Sequence, residues 1–446
     1  MFKTLINSFK NKDVRKKILI TLALVFLYRL GAWMPIPGLN AEIFRTDWIG
    51  TDNMLFGLMS AITGGALSQG AILAVGVAPY INASIIMQLL TVAIPPLEQL
   101  SKQGEEGRKK ITKITHVLTL ILAAAQGIGI VLTWRAAGGL DYDRLFVATL
   151  NWNAVLSQWL IGATVVIVLV AGASFTMWIG ERITEKGVSN GISILIFVGI
   201  IASVGQALVA TIGRIINYGT SEPQAPIELV GFLFMVILVF TLIVFIDLAE
   251  RRVPIQYAKQ VKGRKMYGGQ STHIPIKINP SGVLPIIFAM ALITFPQLVA
   301  QLFFPPNNVF LREYNNHLGA GSWGYFVLSG ILIFFFSYFY AGIQFNPEEV
   351  SRNIQQYGGF VPGIRPGKPT GEYLKRISRR LTLFGAAFLT FIVVVPGLIF
   401  GWVIDNPTLV TAFSATGLLI VVSVALEFDK SLESQLMMKQ YKGFLK

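Results

Sequence analysis

The sequence predicts an all-α polytopic membrane protein with ten transmembrane helices. Three observations carry that prediction. Charged residues make up 13% of the chain, about half the ~25% of a soluble domain. Apolar runs near the ~20 residues that a bilayer core requires recur ten times. Lys and Arg fall very unevenly between the segments joining those runs.

The first run, 18–34, follows a basic tail and is closed by Pro35 and Pro37. It lacks a small-residue cleavage site, so it reads as a retained span. The next apolar stretch, about 55–70, is broken by Gly57, Gly64, Gly65 and Gly70. It is too short and interrupted to cross a bilayer. Irregular backbone at membrane depth is tolerated only where protein or a water-filled cavity covers it. The stretch therefore predicts a re-entrant element inside a pore or vestibule, with the rest of the chain as its wall. Span two, 76–94, has Pro79 near its start and ends at Pro95 and Pro96. Spans three to six are 114–134, 155–179, 188–212 and 229–248. Spans seven to ten are 283–304, 323–343, 381–402 and 409–426.

Orientation follows from charge. With the N-terminus inside and ten alternating spans, 31 of the 37 Lys and Arg lie on the inside, a strong positive-inside signal. Both termini are then cytoplasmic. The polar stretch 218–227, with two prolines, divides the chain into halves 1–220 and 221–446 of five spans each. Two odd-numbered halves have opposite topology, the inverted-repeat plan of many transporters and channels. Topology alone carries this point, since the halves share no clear residue-level identity.

Two inside loops are long. In the first, about 249–282, the alternating segments VPIQYAKQV and HIPIKI flank a Gly-Arg-Lys turn region, which reads as a β-hairpin projecting from the membrane. In the second, about 344–380, a helix start at Asn346 precedes a Gly- and Pro-rich basic tip at 358–367.

Several chemistries are excluded. The chain has no cysteine and only three scattered histidines, so thiolate catalysis, disulfides and a His-rich metal site are not expected. No nucleotide-binding motif appears, no cofactor is implied, and no enzyme is predicted. No ionisable residue lies mid-span; Arg29, Glu181 and Asp247 sit near span ends, where snorkelling suffices. The driving force for any transport would come from a partner or from the substrate. The net charge of +14 points to an anionic partner, lipid head groups or nucleic acid.

Two features suggest how the chain works. Ile81 and Ile85 on span two are matched by Ile192 and Ile196 on span five, each pair following a Gly or Pro interruption. Alone, apolar residues four apart in a membrane helix mean little. Beside a broken segment, they suit an apolar constriction that gates by dewetting and grips a passing chain without regard to its sequence. The second feature is the pair of basic loop tips, with Lys262, Arg264 and Lys265 on one and Arg365 and Lys368 on the other. Short loops suffice to set topology. Long basic protrusions instead suit docking to RNA phosphates or to an acidic protein surface.

At this point the residues are recognisable. They include PIPGLN (35–40), GGALSQGAILAVGVAPYINASIIMQLL (64–90), GEEGRKKI (104–111) and ITEKGVSNGIS (183–193). They continue with ERRVPIQYAKQ (250–260), QSTHIPIKIN (270–279), FNPEEV (345–350) and GGFVPGIRPG (358–367). Together and in this order they resemble the SecY family, the large subunits of bacterial protein-conducting channels, over essentially the whole chain. The resemblance implies an hourglass pore closed by six aliphatic residues: Ile81, Ile85, Ile192, Ile196, Ile287 and Ile420. It implies a plug in the 55–70 stretch, with Leu58, Ile62 and Leu67 as its apolar residues. A lateral gate would lie between spans two/three and seven/eight. Arg264, Lys265 and Arg365 resemble the sites that dock the ribosome or the SecA ATPase. Lys265 stands where bacterial relatives often carry Arg, which keeps the charge but not the planar fork. SecE would be an obligate partner and SecG a peripheral one, with signal-sequence-bearing polypeptides as substrates, in the bacterial cytoplasmic membrane. The competing class is a secondary transporter for a small solute, also built on inverted repeats. It is opposed by the absence of intramembrane charges and by the large basic loops. A structural membrane scaffold would not need the broken segment.

Overall fold

The structure, a computed structural model, describes residues 2–36, 39, 60, 63–137, 154–218, 225–257, 260–262, 265–267, 271–280, 282–303, 308–319, 322–403 and 415–443. The chain forms two compact units. One comprises Met1–Phe234, Thr294–Tyr325 and Phe400–Lys446; the other comprises Met235–Ile293 and Phe326–Ile399.

In the first unit, α1 (Phe2–Lys10) leads into α2 (Lys12–Trp33). Asn11 caps α2 by accepting a hydrogen bond from the Asp13 amide, which satisfies one of the donors every helix start leaves open. A turn-rich segment precedes α3 (Ala78–Ala93), which has Pro79 in its first turn. The α4 helix (Pro95–Lys102) follows at a bend of 102°, because Pro95 and Pro96 have no amide hydrogen to continue the α3 ladder. Long helices α5 (Glu105–Ala137) and α6 (Ala154–Lys186) come next, then α7 (Gly191–Tyr218). A core of Ile130, Val131 and Trp134 from α5 with Val165, Leu169 and Ala173 from α6 is fully buried. The start of α8 (Ala225–Leu248), α10 (Val309–Leu318) and α14 (Ala415–Gly443) belong to the same unit. The α14 helix packs on α7 and α1, and its Ser431 and Gln435 side chains both donate to the Val188 carbonyl.

The second unit holds β1 (Glu250–Tyr257), β2 (Gln260–Lys262), β3 (Lys265–Tyr267) and β4 (Ser271–Lys277). It also holds the start of α9 (Leu284–Phe303), most of α11 (Trp323–Gln344), then α12 (Pro347–Gln356), β5 (Gly359–Phe360) and most of α13 (Lys368–Val403). Phe288 of α9 packs against Phe336 and Tyr340 of α11, with ring centroids 5.4 and 4.8 Å away. Outside the apolar helices, β1 pairs antiparallel with β4 from Glu250↔Lys277 to Gln256↔Ser271. On its other edge β1 pairs with β5, through Gln256↔Phe360 and Tyr257↔Gly359. The order is β4-β1-β5. Alternation along β1 turns Val253 and Ile255 inward, as the two-residue period of a strand requires. They meet Ile276, Ile354, Val361 and Leu374 in a small core of their own.

Among the described residues, six helices are long and apolar enough to cross a membrane, or seven if bent α3–α4 is one span. The fold is that of an α-helical polytopic membrane protein. Helices α2, α9 and α14, of 22, 20 and 29 residues, take in the described parts of three further apolar runs of the sequence.

Candidate functional site

The interrupted stretch is described at residue 60 and from 63 onward, where it is the least regular and one of the most buried parts of the first unit. Gly64, Gly65, Gly70 and Gly76 all have positive φ, between 59° and 85°, a conformation that costs an L side chain about 1–2 kcal/mol. The chain turns repeatedly there and closes its own hydrogen bonds: Gly65 N–H to Ser60 O at 2.8 Å, Ala71 N–H to Ala66 O at 3.0 Å, and Gly76 N–H to Leu73 O at 3.0 Å. It also borrows the end of α2. The Ile72 amide donates to the Met34 carbonyl and the Ile36 amide to the Gly70 carbonyl, both at 2.9 Å. An unpaired amide in hydrocarbon would cost several kcal/mol, so this pairing is what permits irregular backbone here. Arg29 Nη1 donates to the Gly64 carbonyl at 3.2 Å. By sequence Arg29 reads as a snorkelling end charge; the structure gives it a partner 35 residues away.

Leu67, 1% exposed, joins Ala74 and Val75 in the α5–α6 core. Leu58 and Ile62, the other two apolar residues expected of a plug, lie outside the described residues.

Of the six isoleucines, Ile81 and Ile85 sit on α3, the first half-buried and the second buried. The α3 helix packs chiefly on α5 and on the α4 helix that follows it, and more lightly on α6. Ile192 and Ile196 lie in the first two turns of α7 and Ile420 in the second turn of α14. Ile196 and Ile420 are buried, and their two helices pack together. The Ile192 side chain lies over Gly180 of α6, where a Cβ would collide with its Cδ1. Ile287, half-buried on α9, belongs to the second unit.

The basic tips differ in what can be described. Arg264 lies outside the described residues. Lys265 opens β3 opposite Lys262. Arg365 is exposed, and its backbone is pinned: its carbonyl accepts from Thr370 Oγ1 at 2.8 Å. The tip is bracketed by Gly358, Gly363 and Gly367, all at positive φ, and Ser351 Oγ donates to the Gly367 carbonyl at 2.6 Å. Asn346 caps α12 by accepting from the Glu348 and Glu349 amides, so the tip rises from a well-terminated helix.

One polar contact was not foreseen. His116 of α5 meets Glu181 of α6, with Nε2 and Oε1 2.5 Å apart. Glu181 alone reads as an end-of-span charge and His116 as one of three scattered histidines, and nothing in the local pattern joins positions 65 apart.

Among known proteins, the SecY family model matches residues 71–428. The protein translocase subunit SecY of Streptomyces galbus is 42% identical over 461 residues, covering 98% of both chains. Among solved structures, one concerns the plug domain of the SecY protein, said to stabilise the closed state of the translocation channel; it matches with a TM-score of 0.62 at 19% identity, over 94% of this chain and 92% of that one. Sec61 in the canine ribosome–channel complex matches with a TM-score of 0.63 at 18% identity, over the same shares. The family match over most of the chain and the end-to-end likeness to a curated relative agree with the fold, and the chain belongs to the SecY family of protein translocase subunits.

Proposed function

We propose that this chain forms the protein-conducting pore of a bacterial translocase, passing unfolded secretory polypeptides across the membrane and releasing membrane spans sideways into lipid. The observation that carries the reading is the buried, glycine-broken segment 63–77, held by α2 and packed into the α5–α6 core. A scaffold has no use for it, and the absence of intramembrane charges and the large basic loops speak against a small-solute carrier. In this reading ten spans form two inverted halves, 1–220 and 221–446, with both termini in the cytoplasm of a bacterial cell. The 55–70 stretch, including Leu58, Ile62 and Leu67, is the plug. Ile81, Ile85, Ile192, Ile196, Ile287 and Ile420 form the ring. The lateral gate lies between spans two/three and seven/eight.

The mechanism follows from side-chain chemistry. Isoleucine offers no hydrogen bond, so a ring of six excludes ions when narrow and imposes little sequence preference when a chain fills it. A signal sequence opens the gate by binding the open state more tightly than the closed one. Arg264, Lys265 and Arg365 dock an anionic partner. The ribosome and SecA both fit this role, and the ribosome is supported by the likeness to a ribosome-bound channel. SecE and SecG complete the complex.

The native chain lacks cysteine, so Ile85→Cys and Ile287→Cys are clean probes. A stalled secretory chain with one cysteine is expected to form a disulfide with both and not with Phe234→Cys, on an exposed face of α8. Crosslinks confined to Phe234→Cys would place the substrate outside the ring and overturn the reading.

A further inference from the structure

We propose that His116 and Glu181 form a latch that positions the constriction ring from behind. The inference rests on the ring assignment above. Glu181 is half-buried and follows Gly180, the residue on which Ile192 is seated. The same turn of α6 carries the start of α7: Gly191 lies against the Gly180 carbonyl, leaving no room for a Cβ, and its amide donates to Thr184 Oγ1 at 2.8 Å. Ile192 and Ile196 therefore hang from α6 at Gly180–Thr184. Successive residues of a helix point about 100° apart. A carboxylate at 181 tied to His116 of α5 thus fixes the azimuth of α6, and with it the direction in which Gly180 faces. On the third side, Tyr80 of α3 lies within electrostatic reach of Glu181 and is the residue before Ile81. One hydrogen-bonded pair sits where the three helices next to two ring positions converge. Arg182, beside it, is engaged elsewhere, with Glu185 and over the Trp178 ring, and does not replace His116 in this contact.

The test is ion conductance of the purified translocase complex in planar bilayers without substrate. His116→Ala is expected to raise resting conductance about tenfold, the shift that loss of one charge-assisted hydrogen bond produces in a two-state gate. Glu181→Gln, nearly isosteric, is expected to leak in the same direction should His116→Ala fail to assemble. Exchanging the partners, His116→Glu with Glu181→His, is expected to restore the low conductance, which assigns the effect to the pair rather than to either residue alone. Melting temperatures near that of the unmodified chain identify the leak as gating. Wild-type conductance in both single variants, or a leak that the exchange does not repair, overturns the latch. Ile81→Gly with Ile192→Gly separates the two ideas. A leak there beside silent latch variants leaves the ring standing and removes the latch; silence there removes the ring, and the latch with it.

Discussion

A Cβ built at Gly172 of α6 would collide with the Ile72 carbonyl, a backbone atom that cannot swing aside. Gly172→Ala should therefore destabilise the first unit by about 1–3 kcal/mol, the usual penalty for overpacking, read as a lower melting temperature in detergent. Gly205→Ala meets nothing within 4 Å and should leave it unchanged or slightly raised, since Ala favours helix. Arg29 makes a different prediction. Arg29→Gln removes the cation that holds the Gly64 carbonyl, so hydrogen exchange at the 63–70 amides should accelerate while the α5–α6 amides stay protected. Gly64, Gly65 and Gly70 were visible in the sequence as breakers, and they do turn the chain, while Gly57 lies outside the described residues. Their partners were not, because Arg29 at Gly64, Ile36 at Gly70 and Gln206, whose side-chain amide lies over Gly65, approach from distant positions. A collision between Gly172 and Ile72 has no local signature.

Among the elements, the basic loops were the most legible and also the most incompletely read. The alternation in VPIQYAKQV (253–261) and HIPIKI (273–278) announces strands, which the structure draws as β1 and β4, and Asn-Pro-Glu-Glu announces a helix start at 346, where Asn346 caps α12. The third strand could not be foreseen, because Gly359 and Phe360 are too few to show a period. Gly359 is nonetheless specific: a Cβ there would stand 2.9 Å from the Tyr257 ring and 3.0 Å from Ile354. Gly359→Val should detach β5 and increase protease cleavage between 357 and 367, with the helices intact. Arg365 is exposed on the tip that this strand anchors. Arg365→Glu should weaken binding of ribosomes to the purified complex and flatten the salt dependence of what remains, as loss of a phosphate contact does. Unchanged binding at every salt concentration would remove Arg365 from the docking surface.

For the whole molecule, hydropathy counts the runs and charge orients them: with ten alternating spans, 31 of 37 basic residues fall on the inside. The helices themselves run past the apolar runs at several ends, as α5, α6, α13 and α14 do. Single cysteines test the topology in intact cells. Ser221→Cys should react with an impermeant maleimide from outside, and Ser271→Cys only after the cells are opened; the reverse pattern would invert the orientation. The sheet has one more consequence at this scale. Because β5, from one loop, is stitched to β1, from the other, the two loops move as a single handle. That handle is rooted in α8 and α9 through the first loop and in α11 and α13 through the second. A partner that grips either loop therefore applies torque to four helices together, and the load reaches the membrane as a turn of the whole unit.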